Sequence, residues 1–99
     1  MERQLNKAEI YDLIIKVYGA EAQHVVAMEE CAELIKAISK YLRTEDFEDI
    51  DNLIEEIADV EIMIEQLKLI HNIEGSVKLI KDKKIMRTYD RIREAVNNG

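Results

Sequence analysis

Not one of the 99 residues is proline, and only three are glycine. Proline removes a backbone donor and clashes with the turn before it, so its absence leaves long stretches in which nothing interrupts a helix. The chain therefore reads as all-α, and its length fits one domain spanning residues 1–99. At this size a single core lies near the lower limit for independent stability, and self-association is expected from the outset.

Helix signals divide the chain into four. Asn6 and Glu9 have capping-box spacing before an apolar run from Ala8 to Tyr18, and Gly19 is placed to supply a left-handed stop. A second helix is expected from about Ala20 to Arg43, with Met28, Cys31, Ile35, Ile38 and Leu42 as its core stripe at three- and four-residue steps. Thr44, Glu45 and Asp46 suit the start of a third helix ending near Asn72, whose stripe is Leu53, Ile57, Val60, Ile64 and Leu67. The segment Asn72 to Ser76 is a break, and Ser76 is the expected cap of a fourth helix reaching about Val96. Its apolar face is Ile85, Tyr89, Ile92 and Val96, and Asn97-Asn98-Gly99 should fray. The expected architecture is a four-helix bundle with two long antiparallel central helices.

Charge narrows the function classes. A formal net charge of −7 argues against neutralising a nucleic-acid polymer, which needs concentrated Lys and Arg. No helix combines a large apolar face with a cationic one, so no membrane partner is expected. One cysteine permits no intrachain disulfide, and without an N-terminal apolar run a cytoplasmic location is the default expectation. Cys31 falls on the apolar side of its helix and is expected in the core. His24 points into the same arc and is read as a packed histidine.

The chemistry is carried by a motif that occurs twice. In Glu30-Cys31-Ala32-Glu33 and Glu56-Ile57-Ala58-Asp59, three-residue spacing sets each acidic pair roughly 60° apart on one helix face, so each can converge on one ion. Hard divalent cations take oxygen ligands, and magnesium is commonly held by few carboxylates together with water and phosphates. Glu56 falls inside the apolar arc of its helix, and Glu30 lies at the edge of its own, with Gln23 two turns earlier on nearly the same line. Buried carboxylates need partners. In a chain with 21 acidic residues either motif alone is uninformative and reads as solvated surface charge. The conjunction of two pairs at the core boundary of two facing helices is what points to metal.

Lys84, Arg87 and Arg91 form a basic stripe on the fourth helix, apart from its apolar face. Beside an acidic metal cluster such a stripe suits a polyphosphate, and its bland alternative is salt bridging to neighbouring acids.

The strings EECAELIKAISKYL (Glu29 to Leu42) and EEIADVEIMIEQL (Glu55 to Leu67) resemble the MazG-like branch of the all-α NTP pyrophosphatase superfamily, whose signature is ExxE, a variable spacer and ExxD. KKIMR (Lys83 to Arg87) looks like that family's basic segment. The resemblance covers roughly residues 20–91. It implies Mg²⁺-dependent hydrolysis (Mn²⁺ as a substitute) of a nucleoside triphosphate between the α and β phosphates, giving a monophosphate and pyrophosphate in nucleotide house-cleaning. It further implies a homodimer or homotetramer, with Glu30, Glu33, Glu56 and Asp59 as metal ligands and catalytic carboxylates, and Lys84 and Arg87 on phosphate oxygens. The chain departs from some relatives in having no Trp to stack on a base, which leaves base preference open. The rival readings are a dUTPase-type or phosphoribosyl-ATP pyrophosphohydrolase on the same scaffold, or a non-catalytic helical dimer that binds a nucleotide or a protein. A ferritin-like di-iron bundle is disfavoured, because that design needs two Glu-x-x-His pairs and this chain offers one, Glu21/His24, with Lys68 standing three residues before His71.

Overall fold

The computed structural model describes residues 3–98, which form four α-helices with no strand among them: α1 (Lys7–Tyr18), α2 (Ala20–Thr44), α3 (Phe47–His71) and α4 (Glu74–Asn98). The capping box is present. The Asn6 side chain accepts from the Glu9 amide at 2.9 Å, and the Glu9 carboxylate accepts from the Asn6 amide at 3.1 Å. Arg3 adds a two-pronged contact to the same carboxylate at 2.8 and 2.6 Å.

Gly19 makes the first turn by itself. At φ 91° and ψ 147° it occupies a region open in practice only to glycine, more extended than the left-handed stop expected. Its amide closes α1 on the Ile15 carbonyl at 2.8 Å, and its carbonyl accepts the first bond of α2 from Gln23 at 3.2 Å.

The α2–α3 turn differs from expectation in who caps it. Thr44 is the last residue of α2, its hydroxyl donating to the Lys40 carbonyl at 3.1 Å and contacting the Asp49 carboxylate. Asp46 is the cap of α3, accepting from the Glu48 amide at 3.2 Å, while left-handed Glu45 turns the chain. The carboxylate wins because Thr44 is still inside the preceding helix. Ser76 is likewise not a cap. The Ile73 carbonyl already accepts from Val77 at 2.9 Å, so α4 starts at Glu74 and encloses Ser76. It continues through Asn97 and Asn98, which were expected to fray, and Gly99 lies outside the described residues.

So short a turn forces α2 and α3 antiparallel. Their register is marked by polar pairs at matching steps: Gln23 with Gln66, Glu30 with Asp59 and Lys40 with Asp49. Seven residues forward on α2, from Gln23 to Glu30, correspond to seven residues back on α3, from Gln66 to Asp59.

The seam itself is not the stripe expected on α2. Its buried apolar residues are Ala27, Ala37, Val60 and Met63, joined by buried Gln23, Asp49 and Gln66. Met28, Ile35 and Leu42 remain 65%, 68% and 70% exposed, and Cys31, expected in the core, is also exposed. Small alanines and polar groups that pair across the seam occupy the space between the helices, and the larger side chains lie on a flank. Helix α1 leans on both α2 and α3, whereas α4 approaches α3 alone and is exposed at every described residue. The radius of gyration, 18.0 Å, exceeds the roughly 13 Å of a compact chain this long, because α4 extends as an arm. Among the described residues no helix is long and apolar enough to cross a membrane.

Candidate metal centre

Three of the four expected carboxylates converge. Glu30 on α2 and Glu56 and Asp59 on α3 each place one oxygen within 4.8 Å of the others, all three half-buried. The geometry follows from the helix repeat. The antiparallel register sets Glu30 against the two α3 acids, which lie one turn apart on the same face.

Electrostatics at this point is unfavourable for the chain alone. Burial pushes the Glu30 carboxyl above the ordinary carboxylate range, and repulsion from Asp59 and Glu56, a hydrogen-bonding contact with Asp59 and repulsion from Glu33 push it further. Glu56 is raised by the same kind of burial, then by Asp59, Glu33 and Glu55. One Glu56 oxygen, Oε2, is buried without a hydrogen-bond partner. A buried carboxylate oxygen with no donor is costly, and either a proton or a cation would relieve it. Oxygen-only donors at this spacing fit a hard divalent ion such as Mg²⁺ or Mn²⁺.

The fourth acid stands apart. Glu33 is one turn beyond Glu30 on the outer side of α2, exposed and 3.5 Å from Lys36, close enough to repel its neighbours yet outside the converging set. Glu29 and Glu55, which precede the pairs, are exposed. Lys84 and Arg87 lie on the outstretched arm α4, and the single chain does not bring them to the acids. Arg87 instead borders an open depression along α4 with Asp82, Asp90 and Glu94.

Two polar pairs brace the seam beyond the acids. Gln23 Nε2 donates to Gln66 Oε1 at 2.6 Å in a fully enclosed contact. Beside them, His24, the residue after Gln23, and His71, five residues past Gln66, meet Nε2 to Nε2 at 2.7 Å with their rings edge to face. His24 Nδ1 lies 2.6 Å from the Ala20 carbonyl, which can only accept, so Nδ1 carries the proton and the His24 Nε2 accepts from His71. His24, expected to be packed, is half-buried, and its partner His71 is exposed. The signal for the glutamine pair is present in sequence, as Gln23 shares the line of Glu30, and Gln66 lies seven residues past Asp59. What was missing was the register that joins them. Comparison of the chain with protein-family models, with curated proteins and with solved structures gave no match.

Proposed function

We propose that this chain is a divalent-metal-dependent nucleotide pyrophosphohydrolase, cleaving a nucleoside triphosphate between its α and β phosphates. The single observation carrying the reading is the convergence of Glu30, Glu56 and Asp59 from two helices around a buried carboxylate oxygen that no protein group satisfies. The repeated ExxE and ExxD motifs and their resemblance to the MazG-like enzymes give that centre its reaction class.

Glu30, Glu56 and Asp59 hold the Mg²⁺ or Mn²⁺, with Glu33 at the rim. When bound, the cation offsets phosphate charge, polarises the phosphoryl group under attack and makes water more acidic. The carboxylates divide the remaining work. Glu30, Glu56 and Asp59 orient the attacking water, and one of these carboxylates accepts its proton. Lys84 and Arg87 contribute to phosphate binding once α4 is brought to the site. In this reading the protein acts as a homo-oligomer on free nucleotides.

The test is pyrophosphate release from a panel of ribo- and deoxyribonucleoside triphosphates, with Mg²⁺, with Mn²⁺ and with chelator. The expected result is metal-dependent release with a monophosphate co-product. No release from any triphosphate with either metal would sink the proposal, as would turnover that survives chelation.

A further inference from the structure

At the end of the α2–α3 hairpin opposite its turn, two histidines meet that the proposed reaction does not use. The register that pairs Gln23 with Gln66 sets Glu65, not His71, opposite His24, so His71 lies six residues, about 9 Å, further along the seam. Helical side chains tilt toward the N-terminus of their own helix. In an antiparallel pair that tilt carries His24 outward and His71 inward, and the rings close the gap to 2.7 Å between their Nε2 atoms. The 2.6 Å contact of His24 Nδ1 with the Ala20 carbonyl, one turn back, records the same tilt.

Three features of this contact match metal-binding imidazoles. First, the Nδ1–H of His24 is held by a backbone carbonyl, the arrangement that fixes the tautomer of a metal-ligating histidine and leaves a lone pair on Nε2. Second, both Nε2 atoms point at one locus from different helices, and among the described residues neither ring has a carboxylate partner. Third, His71 is the last residue of α3, where the negative end of the helix favours a cation. The nearest cation on that helix, Lys68, is paired with Glu65 at 2.7 Å.

We propose that His24 and His71 form a second divalent-cation site, selective for a late first-row transition ion of the Zn²⁺ class, that clasps the open end of the hairpin. Imidazole nitrogen suits such ions, whereas the oxygen-only set of Glu30, Glu56 and Asp59 suits Mg²⁺. The ion replaces the single proton that the two Nε2 atoms share. His71 carries that proton in the hydrogen bond and keeps one by moving it through water to its Nδ1, so none is gained or lost. Two nitrogens each about 2.0–2.1 Å from a tetrahedral ion stand roughly 3.3 Å apart, so the rings part by less than about 1 Å from their present 2.7 Å. Exposed His71 can rotate that far, and water fills the other two positions. His24 borders an open depression of about 560 Å³ that gives the ion a path in. Cys31 borders it too, but seven residues along α2, about 10 Å, is too far for a third ligand.

The test reads the imidazoles, so its outcome is independent of the proposed hydrolysis. Untagged protein with ¹⁵N-labelled histidine is titrated with Zn²⁺ in slightly alkaline buffer, with Mg²⁺ in excess to occupy the acidic centre. The Nε2 resonances of His24 and His71 should shift together and saturate at one equivalent, and Tm should rise. His71→Ala should weaken Zn²⁺ binding at His24 by more than the roughly 10–100-fold that follows loss of a ligand's hydrogen-bond partner alone, and should abolish the Tm rise. Glu56→Gln, which damages only the acidic centre, should keep the Zn²⁺ response of both histidines. Zn²⁺ that shifts neither nitrogen, shifts only one, or binds His71→Ala as tightly as the parent would leave the pair as a hydrogen bond alone and overturn the proposal. If His71→Ala does not fold, the titration of the wild-type nitrogens decides by itself.

Discussion

Replacing Gln23 and Gln66 singly and together measures what the α2–α3 register depends on. Gln66 is 2% exposed and Gln23 6%, and their amides meet at 2.6 Å. Gln23→Leu removes the donor and leaves the Gln66 oxygen enclosed without one. An unsatisfied buried polar group costs about 1–3 kcal/mol, a large share of the roughly 5–15 kcal/mol that holds a domain together. For a chain of this length about 2 kcal/mol corresponds to a fall in Tm of roughly 8–16 °C. Gln66→Leu strands the Gln23 donor and should cost a similar amount. The double variant strands nothing and keeps nearly the same volume, so it should return to within about 1 kcal/mol of the parent. The expected coupling energy is therefore at least about 2 kcal/mol, measured by urea denaturation at fixed protein concentration. If each single variant costs under about 0.5 kcal/mol and the two effects add, the amide pair is solvated and the reasoning about the seam is wrong.

Three further outcomes concern the acidic centre and the cap of α1. Glu56→Gln keeps the side-chain shape and removes one of three crowded charges, so thermal scans should show a more stable metal-free protein, no rise in Tm with Mg²⁺ and turnover lower by on the order of a hundredfold or more. Retained Mg²⁺ stabilisation in that variant would remove Glu56 from the ligand set. The raised proton affinities of Glu30 and Glu56 predict an inverted pH dependence for the metal-free protein. Between the ordinary carboxylate range and the raised folded-state values, the folded chain binds more protons than the unfolded one, so this contribution to stability is present at the acid side and lost as pH rises through those values. Tm should therefore climb on acidification from neutrality toward that range, and saturating Mg²⁺ should flatten the climb; a Tm that falls throughout would refute the assignment. Asn6→Ala removes the cap of α1 and should cost about 1 kcal/mol, read as a Tm drop of roughly 4–8 °C.

The helices were legible because their signals are local. An uninterrupted chain, a capping box at Asn6 and Glu9, and a glycine at 19 need no tertiary information. The acidic centre was legible for a related reason, since spacing within each motif fixes a face and a short turn fixes the two faces opposite each other. Long-range choices were harder to read. Periodicity located an apolar stripe on α2 but could not reveal that Ala27 and Ala37, not Ile35 and Leu42, would line the seam. Glu33 shares the ExxE motif with Glu30, yet the seam passes on one side of α2 and leaves it at the rim. Thr44 failed as a cap because it lies inside α2, which left-handed Glu45 closes, and Ser76 because α4 already begins at Glu74, just past the left-handed Asn72 that closes α3.

The composition of the seam leaves much of the apolar surface uncovered. Its buried apolar residues are two alanines, one valine and one methionine, and much of the remaining enclosure goes to Gln23, Asp49, Gln66 and half-buried acids. Grouped carboxylates oppose folding until a cation offsets them, and polar pairs contribute little net free energy once desolvation is counted. A centre of this kind therefore lowers the stability available from the very interface that builds it. The apolar surface that would compensate has not been lost: it is displaced to the outer flank of α2 and to the apolar face of α4, where only further contacts can bury it. On the proposed function, metal binding and self-association should accordingly be linked, since each would stabilise the folded helices that the other requires. Mg²⁺ added at protein concentrations near the dimer dissociation constant should shift the population toward dimer, and an association constant indifferent to Mg²⁺ would show the two to be separate.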